Sequence, residues 1–194
     1  MGSYDRHKPR TERKPKPLNP AKLEELGLAY VARFATSAAK LETYLKRKLR
    51  ERGWEGGGDN DGDGDSGPDI AALAARYVDL GYVDDEAYAR SKAGGLLRRG
   101  YGPRRVDQAL GAAGISEDIR DEVRAGPSEA RQAALAMARK RRFGPFGMVE
   151  PDRPQREKQL AAMLRAGHSL DSARELVNAR DIAAAEEWAG EEED

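Results

Sequence analysis

Residues 80–116 read LGYVDDEAYARSKAGGLLRRGYGPRRVDQALGAAGIS, and the fold follows from how that stretch is punctuated. Asp84 is a helix-cap residue, and the acids Asp85 and Glu86 after it complement the positive end of a helix. Ala89, Ala93, Leu96 and Leu97 then fall on one side, until Gly100 breaks the pattern. Gly102-Pro103 starts a second helix, because proline is preorganised for the first helical position. In that helix Val106, Ala109, Leu110 and Ala113 face inward, while Arg104, Arg105 and Gln108 face out. Gly114 ends it, and Ser116 caps a third helix containing Ile119 and Val123. Residues 84–126 are thus predicted to form one three-helix module.

Upstream, Asn19-Pro20 is another start signal, followed by Leu23, Leu26 and Tyr30 at helical spacing. A second helix begins near Thr36 or Ser37, carries Leu41, Tyr44, Leu45 and Leu49 on one face, and runs to Arg52. Lys46, Arg47 and Arg50 lie away from that face. A third starts at about Asp69, turns Ile70, Leu73, Ala74 and Tyr77 inward, and stops at Gly81. These helices make a first module over 19–83, with an acidic Gly/Asp loop at 55–68. Downstream, Phe143-Gly144-Pro145 repeats Tyr101-Gly102-Pro103 at an offset of 42, and Gly167-His168-Ser169 repeats Gly114-Ile115-Ser116 at 53. The 11-residue difference fits an insertion near 146–156 within a third module over 127–180. Residues 1–18, rich in Lys, Arg and Pro, have almost nothing to bury and are expected to be a disordered basic arm. Residues 181–194 hold 7 acids and no base and are expected to be an acidic tail. The fold class is therefore all-α, with tandem three-helix repeats forming an elongated, curved array, since each repeat touches only its neighbours.

Composition agrees. Ala supplies 31 of 194 positions and Leu 17, whereas Val, Ile and Thr together supply 14, too few β-formers for a large sheet. No uncharged run approaches the length of a membrane span, the basic N-terminus lacks a signal peptide's apolar core, and cysteine is absent. A cytoplasmic protein is expected, with no membrane association. The formal charge is zero, 34 Lys and Arg against 34 Asp and Glu, but residues 1–54 carry 14 bases and 6 acids. Basic stripes of this kind attract polyanions or acidic protein surfaces.

Catalysis finds little support. No phosphate-binding glycine loop ending in Lys-Ser/Thr is present, and His7 and His168 stand without partners for acid–base work. Asp59, Asp61, Asp63 and Gly64 match the start of a calcium loop, but its twelfth position, which needs a bidentate Glu, is Ile70. No catalytic residue, cofactor or metal site is expected. Tyr82 and Trp54 follow module-ending glycines, where a ring packs against the next helix, so both are assigned to the core.

The ordered series Leu80-Gly81-Tyr82-Val83-Asp84-Asp85, Tyr88-Ala89, Gly100-Tyr101-Gly102-Pro103-Arg104-Arg105-Val106, Leu110 and Gly114-Ile115-Ser116 resembles the RecX family of bacterial recombinase regulators. The flanking segments 28–54 and 130–178 resemble the family's first and third repeats, although His168 replaces the usual apolar residue. The resemblance implies a regulatory protein and not an enzyme. It implies binding to RecA protein and to the RecA filament on single-stranded DNA, inhibiting filament growth, ATP hydrolysis and strand exchange. Recombination, DNA repair and the SOS response are the processes such a protein modulates.

A filament of protein on DNA offers acidic surface and phosphates, which arginine's planar fork binds bidentately. The expected binding residues are Arg98, Arg99, Arg104 and Arg105 around the Gly100–Pro103 turn, with Tyr101 between them as a stacking or packing group. Lys140, Arg141 and Arg142 stand at the equivalent place in the third module, and Lys46, Arg47 and Arg50 serve the first. The protein is expected to act as a monomer, with weak direct DNA contact as an accessory. The alternative is a stand-alone basic helical nucleic-acid-binding protein that acts without RecA.

Overall fold

The computed structural model describes residues 16–55 and 67–191. Most of the basic arm and of the Gly/Asp loop, including the aspartates of the calcium-like motif, lie outside the described residues.

Three helices form the first unit: α1 (Pro20–Arg33), α2 (Ala38–Arg52) and α3 (Ile70–Asp79). Each starts where a side-chain oxygen accepts a free backbone N–H: Asn19 from Lys22, Ser37 from Lys40 and Asp69 from Ala72. Their inner faces bury Leu23, Leu41, Leu45, Ile70, Ala74 and Tyr77 in one core. The second unit has α4 (Asp85–Arg98), α5 (Pro103–Gly111) and α6 (Glu117–Glu122), around Ala89, Ala93, Leu96, Val106, Leu110, Ala113 and Ile115. The third has α7 (Pro127–Arg141), a 3-10 turn at Gly144–Phe146, α8 (Arg153–Arg165) and α9 (Leu170–Asn178), followed by α10 (Ile182–Gly190). The fold is all-α and built of three-helix repeats, each with its own core.

The second core is light. A buried leucine is worth about 1.5–3 kcal/mol while alanine offers a single methyl, and Ala89, Ala93 and Ala113 supply much of this one.

Three expectations need correction. Leu18, assigned to the disordered arm, is fully buried: its N–H donates to the Gly53 carbonyl (2.9 Å), and its carbonyl accepts from Glu55 N–H (2.8 Å). The clamp seats it beside half-buried Trp54 in the first core. Residues 181–194, expected to be an acidic tail, instead contain α10, whose Ala185 and Ala189 are buried in the third core beside Trp188. Ala185, Trp188 and Ala189 fall on one helical face, an amphipathic signal that the count of acids concealed. Tyr82, expected in the core, is 53% exposed and only sets its ring edge-on to Tyr77, with centroids 5.8 Å apart.

Candidate functional site

Modules join through their turns, and glycine makes this possible. At the second junction Gly102 N–H donates to the Ala166 carbonyl (2.9 Å) and Arg104 N–H to the Gly167 carbonyl (3.3 Å). A Cβ on Gly102 would stand 2.3 Å from the Gly167 carbonyl carbon, and one on Gly167 would stand 2.4 Å from Arg105 N. Backbone therefore touches backbone here. At the first junction Ser37 Oγ donates to the Ala113 carbonyl (2.5 Å), and Ala38 N–H donates to Asp85 Oδ1 (2.9 Å). Both junctions follow one rule: the start of one module's middle helix meets the turn before the next module's last helix. A repeated contact of this kind is what propagates a solenoid.

His168 belongs to this machinery. Its ring is 2% exposed, and Nε2–H donates to the Gly100 carbonyl of the preceding module (3.0 Å). Burial pushes its pKa below the ordinary 6.5, while the bond to Gly100 works weakly the other way. The ring thus serves as a structural junction residue. The direction of the shift has a consequence for stability. As pH falls through about 6.5, the unfolded chain binds a proton that the folded ring refuses, so the junction loses stability. Thermal melts between about pH 8 and pH 5 should show a steeper acid-side fall for the wild type than for His168→Leu. Equal slopes would remove the ring from the account.

The same junction brings together helices that carry basic residues of two modules. Arg98 and Arg99 close α4, and Arg104 and Arg105 open α5. Gly100 lies against the backbone of Met137, where a Cβ would stand 2.8 Å from the Met137 nitrogen. That contact brings the end of α7, with Lys140, Arg141 and Arg142, alongside the end of α4. Arg141 stands one helical turn beyond Met137. Arg99 Nε donates to the Gly95 carbonyl (2.9 Å), which steadies its side chain. Among the described residues, Arg98, Arg104, Arg105, Lys140, Arg141 and Arg142 are exposed and have no carboxylate partner. Tyr101, which sequence alone leaves between stacking and packing, is 39% exposed among them.

Lys46, Arg47 and Arg50 are placed apart. They lie two turns or more along α2 from the junction residues 37–39. Lys46 pairs with Glu42 (2.6 Å) and Arg47 with Glu51 (3.7 Å), whereas Arg50 has no such partner among the described residues. Sequence reasoning missed Arg165, which is exposed in the last turn of α8, next to the Ala166 and Gly167 carbonyls that receive the second module. A base in the last turn before a turn glycine is the signal that could have found it.

Two local features shape the charge. Glu186 of α10 pairs with Arg139, and the Ala189 carbonyl accepts from Gln132 Nε2 (2.7 Å), so α10 binds α7 through neighbours of the basic cluster. Arg142 adopts a left-handed backbone (φ 57°), as does Gly100 (φ 85°) at the corresponding place 42 residues earlier. That conformation costs a non-glycine residue about 1–2 kcal/mol, so a cation stands where glycine would be more stable.

Among the described residues no cluster of His, Cys, Asp and Glu could hold a metal ion, and no helix is long and apolar enough to cross a membrane.

Comparison with known proteins agrees with this architecture. The family model for the second three-helix domain of RecX matches residues 84–123. A regulatory protein RecX from Myxococcus xanthus is 32% identical over 181 residues, covering 91% of this chain and 95% of that one. A RecX from Thermus thermophilus is 32% identical over 115 residues, covering 59% and 70% respectively. The crystal structure of RecX from Lactobacillus salivarius superposes with a TM-score of 0.60 over 81% of this chain and 93% of that one, at 18% identity, a likeness of fold. With a nearly full-length relative above 30% identity and the same repeats in space, the chain belongs to the RecX family of regulatory proteins.

Proposed function

We propose that this protein binds RecA and its filament on single-stranded DNA and restrains filament growth, ATP hydrolysis and strand exchange. The observation that carries the proposal is a set of exposed bases without a carboxylate partner among the described residues, Arg98, Arg104, Arg105, Lys140, Arg141 and Arg142, carried by helices that meet where Gly100 packs on Met137. Family membership supports it. The mechanism is steric and electrostatic. A row of modules lies along the filament, its guanidinium groups engage acidic protein surface and phosphates, and its bulk obstructs strand access and protomer addition. Lys46, Arg47 and Arg50 would add a second, weaker contact from the first module. The protein acts as a monomer in the cytoplasm, without catalysis.

The test is RecA strand exchange and single-strand-dependent ATP hydrolysis, with the wild type and with Arg104→Glu/Arg105→Glu. Wild type should inhibit at amounts well below RecA, and the variant should need at least about tenfold more, equivalent to about 1.4 kcal/mol, with unchanged circular dichroism. Undiminished inhibition by the variant would move the site elsewhere, and an inert wild type would end the proposal. Tyr101, exposed among arginines, favours one second reading: stacking on single-stranded nucleic acid without RecA. Salt-sensitive DNA binding by a protein that leaves RecA untouched would establish it.

A further inference from the structure

A cavity of about 200 Å³ opens between α5 and the end of α6. Its floor is apolar, made by Val106, Leu110 and Val123 of the second core. Its rim carries Arg104, Arg120 and Arg124 together with Asp107. Arg120 joins the two helices through Nη1 to Asp107 Oδ1 (2.6 Å), and Arg124 is taken by Asp121. Both acids are thus engaged by one arginine each, which leaves Arg104 without a carboxylate among the described residues.

Of the rim bases, Arg104 is exposed and can be paired without displacing a carboxylate among the described residues. A carboxylate suits it, since a guanidinium edge takes two carboxylate oxygens in parallel bonds. The apolar floor asks for something else at the same time, a small hydrocarbon group that displaces water from Val106, Leu110 and Val123.

We infer that this cavity is an anchor site for a partner protein's segment in which an acidic side chain stands next to an apolar one. The carboxylate meets Arg104 while the apolar side chain enters the floor. Arg104 belongs both to this rim and to the basic junction face, so a partner lying on that face reaches the cavity without bridging a gap. The inference rests on the proposed function for the partner's identity, RecA, and not for the chemistry of the site.

Two experiments separate these dependencies. The first titrates the isotope-labelled full chain with the blocked tripeptide acetyl-Leu-Glu-Phe-amide, with its Gln counterpart, and with inorganic phosphate at matched ionic strength. The Glu peptide should shift the Arg104 Nε–H and Ala125 amide resonances and bind at least about fivefold tighter than the Gln peptide. Ala125→Trp, which places a ring in the cavity lining, should abolish the shifts. Arg104→Gln, an exposed change that spares the fold, should weaken them. Equal affinities, shifts that persist in Ala125→Trp, or phosphate reproducing the peptide's effect would each overturn the inference. The second experiment measures RecA inhibition by Ala125→Trp. At least fivefold weaker inhibition supports the cavity as the place where RecA is held, and unchanged inhibition overturns that assignment. A wild type without effect on RecA would defeat the proposed function alone, because the peptide titration still decides the cavity.

Discussion

Gly102→Ala is expected to separate the second and third modules. The added methyl would stand 2.3 Å from the Gly167 carbonyl carbon, 2.4 Å from its oxygen and 2.4 Å from His168 N. All three are backbone atoms, so no rotamer change makes room. Relief requires the α8–α9 turn to move, which breaks the Gly102–Ala166, Arg104–Gly167 and His168–Gly100 hydrogen bonds together. The expected cost is about 3–5 kcal/mol, at the upper end of single substitutions. Gly102 has φ −79°, which suits any residue, so the loss reports the contact and not backbone strain. Gly126 provides the matched control. It too precedes a proline at a helix start (φ −67°), but nothing lies within 4 Å of its added Cβ. Gly126→Ala should change stability by a few tenths of a kcal/mol. Urea unfolding of both variants, with small-angle scattering of Gly102→Ala, checks the pair. A Gly102→Ala protein with wild-type midpoint and dimensions would refute the junction geometry.

Tyr77→Ala is expected to unfold the first module. Tyr77 is 1% exposed, its ring lies 3.1 Å from where a Gly27 Cβ would stand, and its hydroxyl donates to the Glu24 carbonyl (2.9 Å). It holds α3 to α1, and no smaller side chain spans that space. Truncating a buried aromatic costs about 3–5 kcal/mol, whereas Tyr77→Phe, which loses only the hydroxyl bond, should cost about 1 kcal/mol. The damage should concentrate in one module, because each module has its own core. Hydrogen exchange should show α1, α2 and α3 losing protection while α7 and α9 keep theirs. Similar losses in Phe and Ala variants, or uniform loss across the chain, would contradict this account.

The helices were legible because their signals are local. Asn19, Asp84 and Ser116 cap the helices expected of them, α2 and α3 start at the expected places behind Ser37 and Asp69, and the inward faces of α2 and α5 are those that spacing assigns. The ends of the chain were less legible. Leu18 is a lone apolar residue at the edge of a charged segment, and only its pairing across to Gly53 and Glu55 explains its burial. The apolar face of α10 rests on Ala185 and Ala189, whose hydrophobicity is too small to stand out among seven acids. Tyr82 shows the converse error, since a large ring after a turn glycine looks like core until a neighbour fails to cover it.

For the candidate site, residue type and turn position were readable, and proximity was not. Lys140–Arg142 and Arg98–Arg105 are some 40 residues apart in the chain, and their helices adjoin only because Gly100 packs against Met137 of α7. Arg165 and His168 enter through the α8–α9 turn, and Arg120 reaches Asp107 only by the way α6 closes on α5.

The sequence by itself determined the all-α class, most helix starts and the resemblance to RecX, because caps, breaks and periodicity act within a few residues. Tertiary structure alone decided which turns touch, which charges lie unpaired, and that the acidic end is a packed helix. Those depend on contacts between residues far apart in the chain, as at Gly102, where an added Cβ would stand 2.3 Å from the Gly167 carbonyl carbon.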